Sequence, residues 1–205
     1  IKDFNINNSD IVFVMGDKRK KTLQSMGALR LKLAERENLI NENLWKPLWV
    51  VDFPLFEKEN DKYFSLHHPF TSPHPNDIDL LSSEPEKIRS LGYDIVMNGY
   101  ELGGGSIRIH DRKIQQTIFD ILGISKDEAK EKFGFLLDAF KYGAPPHGGM
   151  AFGFDRIVML LAGSSQIRDV IAFPKTTSAT SLMDNSPSNV DKIQLDELGL
   201  DIKSD

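Results

Sequence analysis

The sequence predicts a mixed α+β domain, a mostly antiparallel sheet flanked by helices. Strand-like stretches arrive in consecutive blocks with turn formers between them, and helical periodicity separates only some of the blocks. The regular βαβ alternation that marks a parallel sheet is missing.

"SDIVFVMGD" (9–17) reads as a strand, β-branched and aromatic, closed by Gly16-Asp17. Residues 20–38 read as a helix, with Met26, Leu29 and Leu33 at helical spacing among many charges. "NENLWKP" (41–47) reads as a linker, and a domain boundary is placed at Pro47. Residues 48–58 and 62–70 are expected to pair as strands about the polar turn "ENDK". "TSPHPNDIDLLSSEPEK" (71–87), with three prolines, reads as a long loop, a length often reserved for function. "YDIVMNGYEL" and "GSIRIHD" read as further strands. Asp111 is placed to cap a helix over 112–122, whose Ile114, Ile118, Ile121 and Leu122 share a face. "SKDE" (125–128) is a capping box, opening a helix with Ala129, Phe133, Leu136, Leu137 and Phe140 as its apolar stripe. Gly143 ends that helix. "MAFGFD" reads as a strand, "RIVMLLAG" as a helix and "DVIAFP" as a last strand; the polar tail from 184 is expected to fray, with "IQLDELGLDI" able to dock.

The chain of 205 residues holds no Cys, which excludes a disulfide framework and a thiolate metal site. Its apolar runs are far too short to cross a bilayer, and no signal peptide is visible. The first residue is Ile rather than Met, which fits a piece of a longer protein. A formal charge of −5 does not give the basic footprint usual for nucleic-acid binding.

The chemistry concentrates in "NGYELGGGSIRIHD" (98–111). Three consecutive glycines weaken a sheet, and a sequence tolerates them where something must approach the backbone closely. The strand period of two places Ser106, Arg108 and His110 on one face, and a guanidinium on a rigid strand suits a bidentate grip on carboxylate or phosphate. An ordinary solvated strand face is the competing reading. Glu101, and with it Asp94, points to a Mg²⁺ site shared with phosphate oxygens. Seven positions separate those two carboxylates, so a regular strand sends them to opposite faces, and they share a metal only if the strand is broken, for instance at Gly99. In "GGMAFGFDR" (148–156), Arg156 falls in the first turn of a helix, where a cation is favourable if a polyanion compensates it; pairing with Asp155 or another acid is the alternative. His67 and His68 precede Pro69 at the mouth of the long loop. Adjacent strand residues point apart, so they are poor joint zinc ligands, and a role in closing over substrate stays open.

Read in order, "WKPLWVVDFPLFE", "LHHPFTSP", "NGYELGGGSIRIHD", "KFGFLLDAFKYGAPPHGGMAFGFDRIVMLLAG" and "IRDVIAFPKT" closely resemble the C-terminal part of bacterial-type aspartyl-tRNA synthetases, over about residues 9 to 185. "GMAFGFDRIVMLL" resembles the third signature motif of class II aminoacyl-tRNA synthetases. The resemblance implies an antiparallel sheet of six or seven strands, only part of it in this chain. It implies the end of the bacterial insertion domain over 1–40, the catalytic domain over 41–185 and a tail over 186–205. It also implies ATP-dependent activation of L-aspartate and transfer to tRNA, in a cytoplasmic, homodimeric, membrane-free enzyme. Arg108 would then hold the substrate's side-chain carboxylate and His67 would contact the amino acid from a closing loop. Glu101 would bind ATP through Mg²⁺ with Asp94 as a second carboxylate, and Gly153, Phe154, Asp155 and Arg156 would form the ATP-binding run. The first and second class II motifs are not found, which implies a fragment inactive by itself. A paralogue amidating aspartate with ammonia and a non-catalytic aspartate- or nucleotide-binding module are the alternatives.

Overall fold

A computed structural model describes residues 6, 7, 9–41 and 43–203. Residues 1–5 and Asn8 of the first expected segment, Glu42 of the expected linker and residues 204 and 205 of the tail lie outside the described residues. The chain divides into two compact units, Ile1–Lys46 and Pro47–Asp205.

The first unit is built on helix α1 (Arg19–Arg36). Met26, Leu29 and Leu33 form its half-buried stripe, as their spacing predicts. The strand expected over 9–17 is absent. Ile11 is 80 % and Val14 90 % exposed, and a strand is stable only against a partner, which the described part of this unit does not supply.

The second unit opens with strand β1 (Pro47–Val50), then the hairpin β2 (Phe56–Glu59) and β3 (Lys62–Ser65). Asn60 and Asp61 both take positive φ, as a two-residue hairpin turn demands. The expected pairing of 48–58 with 62–70 is therefore half right. Asp52 turns left-handed and Pro54 lacks a donor, so the first strand stops at Val50 and pairs elsewhere. Strands β4 (Gly92–Met97) and β5 (Tyr100–Ile107) form a second hairpin about Asn98-Gly99, again with positive φ at both turn residues. Helices α2 (Arg112–Ile121) and α3 (Lys126–Ala139) follow, then strand β6 (Gly148–Phe152), helix α4 (Phe154–Leu161) and the short α5 (Lys192–Glu197). One sheet has the order β1-β4-β5-β6, all neighbours antiparallel; β2 and β3 form a second sheet. This is the mixed fold that the sequence predicts.

Both expected caps are present. Asp111 Oδ1 accepts from the backbone N–H groups of Lys113 and Ile114, and Ser125 Oγ accepts from Glu128 N. Ile118 and Phe119 of α2 are each 1 % exposed. Ile118 joins Leu55, Phe56, Leu81, Ile88 and Ile109 in the main core, and Phe119 packs with Phe70, Ala129 and Phe133 in a second cluster. "DVIAFP" forms no strand: Phe173 takes φ 55° and lies exposed, which breaks any extended run. The C-terminal "IQLDELGLDI" carries α5, which buries no residue.

The expected long loop is laced rather than loose. Bridges join Thr71 to Arg108, Pro73 to Ser90 and Pro54 to Arg89. A 3₁₀ segment (Pro75–Ser82) brings Asp77 to Arg89, whose Nε and Nη2 reach its two oxygens at 2.8 and 2.9 Å. That fork holds the Asp77 carboxyl well below the usual carboxylate range.

The close contact of β5 with β6 explains two of the three glycines. A Cβ on Gly103 would lie 2.5 Å from the Ala151 carbonyl oxygen, and one on Gly105 would lie 1.9 Å from that of Gly149. Gly105→Ala is therefore expected to destabilise the chain by roughly 1–3 kcal/mol through overpacking. Gly134→Ala, inside α3, would meet only Lys130 Cγ at 3.6 Å and should stabilise by about 0.5–1 kcal/mol. Urea unfolding of both variants checks the contrast.

Candidate active site

One irregularity in the β4–β5 pairing decides which side chains meet. Asp94 lies opposite Gly104 and Ile95 opposite Gly103, but Val96 lies opposite Glu101, so Leu102 is the extra residue of a β-bulge. An unbroken ladder would turn Glu101 away from Asp94. The bulge instead sends Leu102 inward, where it is 6 % exposed, and returns Glu101 to the Asp94 face. The break that a shared site requires thus sits at Leu102, with the chain reversing at Asn98-Gly99. Beyond the bulge the period of two resumes and carries Gly104, Ser106 and Arg108 along the same face.

These residues line one cavity of about 480 Å³, together with His67, Gly153 and Arg156. Gly104 is required here for room, because a Cβ at that position would lie 2.1 Å from Asp94 Oδ1. The partners of the glycine run are thus the neighbouring strand and an inward carboxylate, where the sequence alone pointed to another molecule. Phe154 and Asp155, in the first turn of α4, are not among the residues lining the cavity, and Phe154 is 74 % exposed. His68, Thr71 and Phe152 line the cavity and were missed. His68 joins His67 because the chain leaves β3 at Ser65 and bends, so the opposite-face rule for strands does not apply. Pro69 was the available signal, since the residue before a proline is conformationally restricted.

Arg156 Nη1 donates to the Glu101 carbonyl oxygen at 2.7 Å and lies 3.9 Å from its Oε1. The acid that meets Arg156 is therefore Glu101 rather than Asp155. Arg108 is half-buried and forms no ion pair among the described residues. Desolvation, then the Arg108 charge, pushes the His68 imidazole below its ordinary range and favours its neutral form. Desolvation, then the charge of Glu101, raises the Asp94 carboxyl, with His67 opposing.

No group of three or more His, Cys, Asp or Glu among the described residues is arranged to hold a metal. Two carboxylates on one face still suit a hard cation that takes one or two protein oxygens and the rest from phosphate and water. Asp94 and Glu101 would hold such a Mg²⁺ ion. Its contribution would be to neutralise charge on a bound polyphosphate.

Arg108 at the end of β5, the carboxylates of Asp94 and Glu101, and Arg156 of α4 thus line one cavity. Residues 9–177 match the family model of the tRNA synthetases class II (D, K and N), and the chain belongs to that family. Within it, the chain is 58 % identical to the aspartate–tRNA ligase of Staphylococcus carnosus (strain TM300) over 196 residues, 95 % of this chain and 33 % of that protein. It is 54 % identical to the aspartate–tRNA(Asp/Asn) ligase of Caldanaerobacter subterraneus subsp. tengcongensis over 195 residues, 94 % of this chain and 33 % of that protein. The chain thus spans about a third of the length of the curated relatives it matches. A solved aspartyl tRNA synthetase from Entamoeba histolytica aligns with a TM-score of 0.49 at 22 % identity, covering 72 % of this chain and 25 % of that one.

The Asp94 environment makes a signed prediction. A carboxyl whose folded pKa is raised binds its proton more tightly folded than unfolded, so its burden on stability grows as pH rises from about 4 and is complete above the folded value. Asp94→Asn is expected to melt higher than the parent chain at neutral pH, with the gap closing as the pH falls to about 4. Melting curves across that range check it.

Proposed function

We propose that this chain is the C-terminal catalytic portion of an aspartate–tRNA ligase. The observation that carries the reading is Arg108, a half-buried guanidinium without an ion-pair partner among the described residues, directly after the strand that bears Glu101. Seven positions of extended chain separate the two, roughly 20 Å, which leaves room for an amino acid joined to a nucleotide. The family match and the relatives named as aspartate–tRNA ligases support the choice of substrate.

In this reading Arg108 holds the side-chain carboxylate of L-aspartate, and neutral His68 leaves that charge undiminished. His67, its ring tilted against that of Phe53 with centroids 4.6 Å apart, contacts the amino acid. Arg156 and the backbone at Gly153 position the triphosphate of ATP; Asp94 and Glu101 would hold a Mg²⁺ ion, whose charge would offset that of the phosphates. The α-carboxylate of aspartate attacks the α-phosphorus; a new O–P bond forms, pyrophosphate leaves, and aspartyl-adenylate remains. The terminal hydroxyl of tRNA then attacks the aspartyl carbonyl and AMP departs. Positioning and charge neutralisation do the catalysis. The full-length protein is read as a cytoplasmic homodimer. Among the described residues no helix is long and apolar enough to cross a membrane.

Ammonia-dependent amidation of aspartate is the lesser reading; relatives named as tRNA ligases at more than half identity weigh against it. A non-catalytic module would bind aspartate or nucleotide without turnover.

In the full-length protein, Arg108→Ala is expected to lower aspartate-dependent ATP–pyrophosphate exchange by about 30-fold or more, the loss from a stranded charge contact of ~2–5 kcal/mol. Exchange at the parent rate in that variant would remove Arg108 from the site. The 205-residue chain alone is expected to show no exchange.

A further inference from the structure

Beyond Arg108 lies a second cavity, of about 340 Å³, that the reaction above does not use. It shares only Arg108 and His68 with the cavity already described. Phe70, Ile109, Phe133, Leu136 and Phe140 make its apolar wall. The rings of that wall are held from behind. Phe70 stands edge-on to Phe133, with centroids 5.1 Å apart at 82°, and Phe133 stacks on the buried Phe119 at 5.8 Å and 12°. Phe70 is itself buried, and its carbonyl oxygen accepts from Ile109 N at 2.9 Å. Phe140 meets the ring of His147 with centroids 5.8 Å apart.

The polar groups of the lining are few, and they narrow the ligand class. Arg108 forms no ion pair among the described residues. His68 Nδ1 accepts from Phe70 N at 3.2 Å, so the neutral imidazole carries its proton on Nε2 and adds a second donor to the lining. Burial, then the Arg108 charge, favours that neutral form. His147 Nδ1 is taken up by the Pro145 carbonyl oxygen at 2.9 Å. No carboxylate lines the cavity. Cavities of a few hundred Å³ walled by rings, with one or two fixed polar groups, suit a small molecule whose polar end is matched to those groups. Here the matched end is an anion, which a guanidinium grips best as a carboxylate. Rings that already meet edge-to-face favour a flat aromatic body over an alkyl chain. L-aspartate carries a single methylene and would leave that wall uncovered.

We propose that this cavity is a binding site for a small aromatic carboxylate, whose ring lies among Phe70, Phe133 and Phe140 and whose acid group pairs with Arg108. Such a ligand takes the guanidinium that L-aspartate needs and so competes with it. Binding stands on the cavity alone; only the competition rests on Arg108 as the anchor of aspartate.

The probe is 2-naphthoate, titrated calorimetrically into the full-length protein without aspartate or ATP, with 2-naphthamide and octanoate for comparison. Naphthoate is expected to bind about tenfold more tightly than either, since the amide lacks the charge and the alkyl acid lacks the ring. Leu136→Trp puts bulk into the cavity and should weaken naphthoate about tenfold while leaving the KM for L-aspartate unchanged. Phe140→Ala removes a ring and adds no bulk, and should weaken it about fivefold, so the test does not hang on how a tryptophan packs. Melting curves check that both variants are folded. In ATP–pyrophosphate exchange by the parent protein, naphthoate should raise the apparent KM for aspartate and leave kcat and the KM for ATP unchanged. No binding, equal binding of naphthamide or octanoate, or full naphthoate affinity in both variants would overturn the assignment. Binding that both variants weaken, with the aspartate KM unmoved by naphthoate, would support the site and count against Arg108 as the aspartate anchor instead.

Discussion

The contact between the backbones of β5 and its neighbours is what the site depends on. Carbonyl oxygens of β6 occupy the space that side chains at Gly103 and Gly105 would need, and the Asp94 carboxylate occupies that of Gly104. A strand fixed this tightly on both sides cannot slide, so the bulge at Leu102 has a single place to sit. From that follows the alignment of Glu101, Asp94, Ser106 and Arg108 along one face. The same contact brings Gly153 N within 2.7 Å of the Leu102 carbonyl oxygen, which sets the first turn of α4 and hence Arg156 above Glu101.

Placing like charges together loads the folded state. Asp94 is desolvated next to Glu101, and Arg108 is left without a carboxylate among the described residues. Such groups are tolerated where a ligand supplies the missing partner, and stability is commonly given up at functional sites for that reason. The segment 71–91 offsets the load with the Asp77–Arg89 fork and with buried Thr71 and Pro73, so the walls of the cavity are held from outside it. Between α2 and α3 the balance reverses, and Arg112, Lys113, Lys126 and Lys130, none in an ion pair among the described residues, gather around a groove. Net charge alone gave no hint of that surface, because it sums over a chain whose acids lie elsewhere.

Much of the fold was legible in the residues. Asp111 and Ser125 announced two helix starts, and the apolar spacing of α2 and α3 announced their buried faces, whereas "YDIVMNGYEL", read as one strand, reverses at Asn98-Gly99 into two. "SDIVFVMGD" and "DVIAFP" misled because local β propensity cannot supply a partner strand, and Phe173 adopts a left-handed backbone that no pattern betrays. Of the site, Glu101, Arg108, Arg156, Gly153, His67 and Asp94 could be picked out, the first three by charge beside glycine. The bulge could not, since a one-residue shift in pairing leaves no mark on composition, and it decides whether Asp94 and Glu101 meet. His68 was lost to a rule for strands applied past the end of one. Phe154 and Asp155 were included through the motif they belong to, and neither lines the cavity.

The most direct test is a crystal structure of the full-length protein with a non-hydrolysable aspartyl-adenylate analogue. The substrate's side-chain carboxylate should lie about 2.8 Å from the Arg108 guanidinium, with the phosphate near Glu101 and Arg156. A bound analogue whose carboxylate sits elsewhere, with Arg108 facing bulk water, would contradict the reading of this strand as the place where an acidic amino acid is held.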